Sequence, residues 1–258
     1  MSFKLKALVA SLALVAAFPA SAAIAPASSG NSSFVLSLID EASGTSATFD
    51  LGVNYNTFAL GSNQTFNVST GDYAAAWTSF MANSSAATRE YAVYASKIVG
   101  SGAGSRAIIT TAGTQDGMSL VDNFTLSTQI SLFDTYLGFN NTVSAHNNPL
   151  VANGGSYGAD GDAWYAGNSY AYSTGSIAGS NNDATGAIGS DLNLWNIVRG
   201  AGSNGADAVV TQLGTSYFNL SSTGVLSYVA AVPEADTSAM MLAGLGLMGF
   251  IARRRKSV

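Results

Sequence analysis

Cysteine is absent from the 258-residue sequence, and histidine occurs once, as His146. The lack of cysteine excludes disulfides, thiolate metal sites and thiol nucleophiles. A lone histidine with no cysteine or second histidine beside it is a poor metal site, so we interpret His146 as a loop or surface residue. A chain without disulfides must fold around a hydrophobic core, and this chain is long enough to form one.

Positive charge is scarce in the middle of the chain. Residues 23–231 contain four basic residues against thirteen acidic ones, a net charge of −9. A surface of this sign repels phosphate groups, so nucleic acid is excluded as a partner. The four basic residues are Arg89, Lys97, Arg106 and Arg199.

The N-terminus has the pattern of a secretory signal peptide. Lys4 and Lys6 precede an apolar run over 7–18, and the small residues Ala20, Ser21 and Ala22 follow it. A charged region, an apolar region and a small-residue cleavage site occur in this order in signal peptides. We therefore predict export through the Sec machinery, cleavage by signal peptidase after Ala22, and an exported domain over residues 23–231.

The C-terminus combines three elements in order over 232–258. Val232, Pro233 and Glu234 come first, an uncharged apolar run over 239–252 follows, and the basic residues Arg253, Arg254, Arg255 and Lys256 come last. As a helix the run spans about 21 Å, which is short of the roughly 30 Å hydrocarbon core. Its terminal position and the basic side chains, which can reach the interface while the bilayer thins, favour a transient membrane helix with a cytoplasmic basic end.

This tail resembles the PEP-CTERM sorting signal of Gram-negative bacteria, which has a Pro-Glu-Pro motif, a short hydrophobic helix and a terminal arginine cluster. Pro233 and Glu234 match the motif, whereas Ala235 replaces its second proline. The resemblance implies recognition by an exosortase, a membrane-embedded cysteine transpeptidase, with cleavage near the motif. It also implies a setting of exopolysaccharide and biofilm. The alternative is a plain tail-anchored surface protein.

The composition of the exported domain, rich in Gly, Ala, Ser, Thr and Asn, is typical of short strands joined by turns. We predict a mainly β, sandwich-like domain with two or three short helices, preceded by a flexible leader over 23–32. Alternating or β-branched apolar residues predict strands over 34–38, 46–51, 53–59, 65–69, 91–99, 108–111, 215–220 and 225–229. Residues 153–190, rich in Gly, Ser and Asn, are predicted to form loops, with one strand near 164–172. Helical spacing predicts helices over 73–81, capped by Asp72, and over 126–137, ended by Gly138. Residues 192–198 fit either a helix or a strand.

Two glycine-containing segments resemble the sequence patterns of known functional sites, a nucleophile elbow and a phosphate loop. Residues 154–158 fit Gly-x-Ser-x-Gly, but a nucleophile elbow needs a strand before the serine, a helix after it and a histidine later in the chain. Polar residues surround this motif and His146 precedes it, so we do not predict a hydrolase. Residues 100–104 lie between two predicted strands, and we predict a hairpin turn there rather than a phosphate loop.

Two further groups are candidates for ligand binding. Asp160 and Asp162, with Asp183 as a third carboxylate, are hard oxygen donors suited to Ca²⁺, although they lack the EF-hand spacing and a solvated turn is the alternative. Aromatic residues in a polar loop region can stack on sugars, or they can cover the edge of the core. These aromatic residues are Tyr157, Trp164, Tyr165, Tyr170 and Tyr172.

We therefore expect an exported, non-enzymatic surface or extracellular-matrix protein that an exosortase sorts and that is linked to exopolysaccharide. A carbohydrate-binding adhesin using the aromatic residues over 157–172 is the alternative function. No cofactor is predicted apart from the candidate Ca²⁺.

Overall fold

The computed structural model describes residues 23–112, 121–143, 154–167 and 184–231. The predicted signal peptide, His146, Tyr170, Tyr172, Asp183 and the tail from Val232 onward lie outside the described residues. Within the described parts, no helix is long and apolar enough to span a membrane.

The fold is mainly β, as predicted, with two α-helices among the described residues. The strands are β1 (Ser33–Asp40), β2 (Thr45–Asn54), β3 (Gln64–Asn67), β4 (Glu90–Ile98), β5 (Arg106–Ala112), β6 (Gly155–Ala159), β7 (Gly186–Ala187), β8 (Asp191–Val198), β9 (Val209–Leu220) and β10 (Val225–Val229). The helices are α1 (Ala74–Asn83) and α2 (Asn123–Asn140). Short 3-10 turns occur at Ala27–Ser29 and Gly71–Tyr73.

All ten strands belong to one antiparallel sheet, in the order β3-β10-β9-β8-β5-β4-β1-β2-β6, with β7 pairing with β4. We expected a sandwich-like domain, and the described strands form a single curled sheet instead. Phe58 stacks on Phe34 of β1 at 4.3 Å between ring centroids and lies 5.8 Å from Phe218 of β9. In a flat sheet β1 and β9 would be about 19 Å apart, so the shared contact with one ring requires the sheet to curl.

Each face of the sheet has its own core, because neighbouring residues of a strand point to opposite faces. On one face α2 packs through Ile130 and Phe133 against Val35 and Tyr94. On the other face α1 lies against β2 and β6, and its buried side chains share a core with side chains of β1 and of the curled strands β9 and β10. The central strands are covered on both faces, and all eight residues of β1 are buried.

Strand positions agree with most of the predictions, and 192–198 is a strand. The predicted strand over 53–59 is wrong beyond Asn54: the amides of Thr57 and Phe58 bond to the Asn54 carbonyl, and this turn carries Phe58 into the core. The described part of the predicted strand over 164–172 is not extended either. The strand in that region is β6, which the sequence pattern did not indicate.

Both predicted helices exist, but their ends differ from the predictions. No side chain caps α1, which follows the 3-10 turn at Gly71–Tyr73, so Asp72 is not its cap. Helix α2 continues through Gly138 to Asn140, and its N-cap is Asp122, whose carboxylate accepts from the Thr125 amide at 2.6 Å. With eighteen residues, α2 is also not a short helix.

The predicted flexible leader over 23–32 is wrong, because this segment is held against α2. Ile24 exchanges two hydrogen bonds with the Asn141 side chain, at 2.8 and 3.0 Å. The Asp134 carboxylate accepts from the amides of Ala27 and Ser28. Ile24 and Ala27 are buried in the core beneath these bonds. The segment is therefore part of the folded domain.

Candidate functional site

The end of the folded domain leads directly into the predicted sorting tail. Strand β10 ends at Val229, and the Ala230 amide donates to Asn63 Oδ1 at 2.9 Å. A Cβ built on Gly214 would lie 3.0 Å from the Cβ of Ala231, so Ala231 still lies against β9. Val232, Pro233 and Glu234 follow at once in the sequence. The motif thus lies immediately beyond residues that pack on the sheet.

The described members of the aromatic group lie at the edge of the core. Tyr165 is 6 % exposed, and Tyr157 and Trp164 are half-buried. The Trp164 indole N–H donates to the Tyr157 carbonyl at 2.9 Å, which uses its one polar group inside the protein. Burial raises the pKa of Tyr165, and the nearby charges of Glu41, Asp160 and Asp40 raise it further. With Tyr170 and Tyr172 outside the described residues, glycan contact by this group stays a prediction.

Glycines in β6 make room for these rings. A Cβ on Gly158 would lie 2.9 Å from Cδ1 of Trp164, and a Cβ on Gly155 would lie 2.9 Å from the Phe49 ring. A Cβ atom at either position would clash with the ring unless neighbouring atoms moved. Gly155 and Gly158, which lie within the Gly-x-Ser-x-Gly segment, therefore have a packing role in an edge strand.

Ser156, the serine of that pattern, lies in β6 and is 3 % exposed. Its hydroxyl donates to Asn140 Oδ1 at 2.6 Å, at the end of α2. A nucleophile elbow presents its serine at a sharp turn between a strand and a helix. Ser156 instead lies within a strand with its hydroxyl bonded to an amide, an arrangement that differs from a nucleophile elbow.

Asp160 and Asp162 lie in the turn after β6. The Asp162 carboxylate accepts from the Ala159 amide at 2.9 Å, and the Asp160 amide donates to the Gly44 carbonyl. Among the residues that the structure describes, no three His, Cys, Asp or Glu side chains are grouped as a metal site. Asp162 thus stabilises its own turn, and calcium binding here stays a prediction.

A groove that the sequence did not indicate lies beside the first turns of α2. Phe124, which is 60 % exposed, lines it together with Arg106 of β5. The other lining residues are Ser127, Thr128, Ser131 and Asn204. The hydroxyls of Ser127 and Ser131 donate to helix carbonyls four residues back. These contacts form over about a hundred residues of sequence, so no local pattern reveals the groove.

Asp50 is the described carboxyl group with the most unusual environment. It lies in β2 and is 5 % exposed, and burial raises its pKa to about 6. Its oxygens accept from the Gly52 amide at 3.0 Å and from the Ser33 hydroxyl at 3.2 Å. These bonds favour the charged form but do not offset the loss of solvation. The Asp50 carboxyl therefore gains a proton on folding at mildly acidic pH.

Comparison with known proteins identifies the tail. Residues 231–256 match the family model of the PEP-CTERM protein-sorting motif. The match covers Val232, Pro233 and Glu234, the apolar run over 239–252 and the basic residues from Arg253. The resemblance seen in the sequence is thereby confirmed. No curated protein and no solved structure matches the chain.

The motif at the C-terminus is what the comparisons establish about this chain. The chain carries a PEP-CTERM sorting motif at its C-terminus. Such a motif supports a sorted surface protein and implies an exosortase as the processing partner. The signal implies export, transit through the membrane and a location at the cell surface or outside the cell. The domain that carries the signal is a curled antiparallel sheet with a helix on each face.

Proposed function

We propose that the protein is a non-enzymatic component of the cell surface or extracellular matrix. Its apolar run over 239–252 enters the membrane as a helix, and Arg253–Lys256 stay on the cytoplasmic side. An exosortase then recognises Val232, Pro233 and Glu234 and cleaves near them. The observation that carries this proposal is the sorting motif at 231–256.

A role without catalysis is supported by the side chains that the sequence had made candidates. Ser156 bonds to Asn140, Asp162 bonds to the amide of Ala159, and Trp164 bonds to a main-chain carbonyl. The Ser156 hydroxyl joins β6 to α2, whereas Asp162 and Trp164 bond to the main chain of β6 from the segment that follows it. A protein whose task is structural needs a stable, polar-surfaced domain, and the two cores of this sheet provide one.

The link to exopolysaccharide is part of the same proposal and is supported by the resemblance of the tail. In this view the domain is delivered to a glycan-rich matrix and is retained there. Glycosidase treatment of intact matrix tests this. We expect the mature protein to be released with the digested polysaccharide, and a protein that stays bound to cells after complete digestion would contradict the link.

The sorting proposal is tested by substitution within the motif. Pro233→Ala with Glu234→Ala should leave the full-length chain in the membrane fraction of the native host. Asp236→Ala, which changes an acid just beyond the motif, is the matched control and should be processed normally. Equal processing of the double variant and the control would contradict recognition of Pro233 and Glu234.

A further inference from the structure

Charge is distributed unequally along the strands of the sheet. We call the end that holds Ile98 of β4 and Val198 of β8 the tail-side end, and the end that holds Glu90 and Asp191 of the same strands the far end. The pairing registers align the strand ends at the tail-side end. There Ile98 of β4 pairs with Arg106 of β5, and Val198 of β8 pairs with Val209 of β9. The nine residues of β4 separate the two ends by about 30 Å.

The far end is acidic. Asp40 lies at the end of β1 and Glu90 lies beside it at the start of β4. Asp160 follows β6 and lies against Gly44 in the turn between β1 and β2. The acids at this end are Asp40, Glu41, Glu90, Asp160, Asp162 and Asp191. The one basic residue beside them is Arg89.

The tail-side end carries the other three basic residues of the exported domain. Lys97 and Arg106 lie on paired strands, and the Arg199 amide bonds to the Arg106 carbonyl at 2.8 Å. The acids described here are Asp122 and Asp207, which face each other in an isolated bridge. This end is therefore close to neutral, whereas the far end has a large negative charge.

The other acidic residues of the domain do not alter the difference in charge between the two ends of the sheet. Asp50 and Asp134 lie partway along β2 and α2, and Asp50 is buried. Asp72 follows β3, which runs away from the tail-side end, since its first residue pairs with Tyr228 and its last with Val225. Asp116 and Asp183 lie outside the described residues.

The chain leaves the domain toward the tail-side end. Strand β10 is antiparallel to β9, and β9 starts at the tail-side end with Val209, so β10 runs toward that end. The loop over 55–63 covers the exit: the Tyr228 hydroxyl donates to the Leu60 carbonyl, and Asn63 binds the Ala230 amide. Neither this loop nor any residue from 208 to 233 is charged.

The short segment between the sheet and the apolar run limits how far the domain can lie from the membrane. Seven residues separate Ala231 from the apolar run that begins at 239, and seven residues span at most about 25 Å. Headgroups occupy roughly 6 Å of that distance. Ala231, which lies beside Gly214 at the level of Leu194 in the middle of the sheet, is thus held within about 20 Å of the headgroup surface. Strand β10 points from there toward the tail-side end, so that end lies ahead of the far end along the path of the chain to the membrane. The Debye length is about 8 Å, so the surface acts on the nearer charges alone.

From this geometry we infer that the tail-side end, with Lys97, Arg106 and the uncharged loop over 55–63, is a surface that docks on anionic lipid headgroups while the tail is in the membrane. Negative lipid attracts the basic residues, and it repels the far end. The domain is thereby oriented with its acidic end away from the bilayer. This inference rests on the proposed insertion of the tail.

The absence of cysteine permits a direct test with the full-length protein. Ala59→Cys in the loop and Ala42→Cys at the far end are matched exposed positions. Each variant is labelled with a fluorophore and reconstituted into vesicles of phosphatidylcholine and phosphatidylglycerol that contain a headgroup-quencher lipid. We expect at least twofold stronger quenching at position 59 than at 42, and a smaller difference at high salt. Equal quenching, or stronger quenching at 42, would overturn the inference.

Matched charge changes test the electrostatic cause. Lys97→Gln with Arg106→Gln lowers the charge of the tail-side end by two, and Ala86→Glu with Ala87→Glu lowers that of the far end by two. The first pair should reduce the difference in quenching at least twofold, and the second should preserve or increase it. Equal effects of the two pairs would contradict docking through the basic residues.

Flotation of the vesicles separates the two proposals. Protein that fails to float contradicts insertion of the tail itself, whereas protein that floats but shows equal quenching at the two positions refutes the docking surface alone.

Discussion

At the scale of single residues, Asp50 makes the stability of the domain depend on pH. Its folded-state pKa of about 6 lies above the unfolded value of 3.8. The folded state therefore binds the proton more tightly, and its contribution is fully present below pH 3.8 and is lost as the pH rises through about 6. Over this window the free energy of unfolding should fall by about 3 kcal/mol from this group.

Asp50→Asn tests this directly. The amide keeps an acceptor for the Gly52 amide and has no charge to bury, so the variant should be more stable than the parent at pH 7 and similar to it at pH 4. Urea unfolding at both pH values measures the difference. Asp72→Asn, at an exposed position, is the control and should not produce the gain in stability at pH 7. If the unfolding free energies of Asp50→Asn and the parent change equally between the two pH values, Asp50 is not the source of the pH dependence.

Asn123 shows how one buried amide organises a loop. Its Oδ1 accepts from the Gly200 amide at 2.8 Å, and its Nδ2 donates to the Ser203 carbonyl at 3.0 Å. Asn123→Ala should cost about 2–3 kcal/mol of unfolding free energy, because the buried Gly200 amide loses its acceptor. Chemical denaturation measures this, with the exposed Ser131→Ala as control. A loss no larger than that of the control would show that the loop is held by other contacts.

At the scale of elements, α2 holds the start of the domain. Asp134 and Asn141 bind the main chain of residues 24–28 across more than a hundred residues of sequence. Asp134→Ala removes a charged acceptor worth about 2 kcal/mol, so the Ala27 and Ser28 amides should exchange roughly 30-fold faster with solvent. Hydrogen exchange measures this rate. Thr135→Ala, on the exposed side of the same helix, should leave the exchange unchanged, and equal rates in both variants would contradict the role of Asp134.

The elements that could be predicted from the sequence are those whose pattern is local. Phe34, Leu36 and Leu38 alternate along β1, and Leu126, Ile130 and Phe133 recur at helical spacing along α2. Strand β6 lacks such a signal, because Gly155 and Gly158 have no side chain and serve to admit rings from elsewhere. The curl of the sheet depends on Phe58 meeting Phe218 at a separation of 160 residues, which no local pattern indicates.

The candidate sites follow the same rule. The sorting tail has its motif, apolar run and basic residues within 26 consecutive residues, so the sequence alone was sufficient to indicate it. The groove of Arg106 and Phe124 and the charge polarity of the sheet arise only when distant strands pair. Asp162 and Ser156 were visible as candidates, but their partners, Ala159 and Asn140, became clear only from the fold.

At the scale of the whole molecule, the domain and its sorting signal are nearly contiguous. The amide of Ala230 is still bonded to Asn63, and Pro233 follows three residues later. An enzyme in the membrane that cleaves near Pro233 must therefore work close to the folded sheet. The near-neutral tail-side end suits that approach, since the far end would be repelled by anionic lipid.

The central claim is that this chain is sorted through its C-terminal motif, and the intact mass of the protein recovered from the surface or medium of its native host tests it most directly. We predict a mass that corresponds to an N-terminus after Ala22 and a C-terminus near Pro233 and Glu234, with the apolar run and the arginine cluster removed. Additional mass on the new C-terminus would identify a group attached by the transpeptidase. A chain complete to Val258 and extracted only by detergent would contradict the account and would identify a tail-anchored protein.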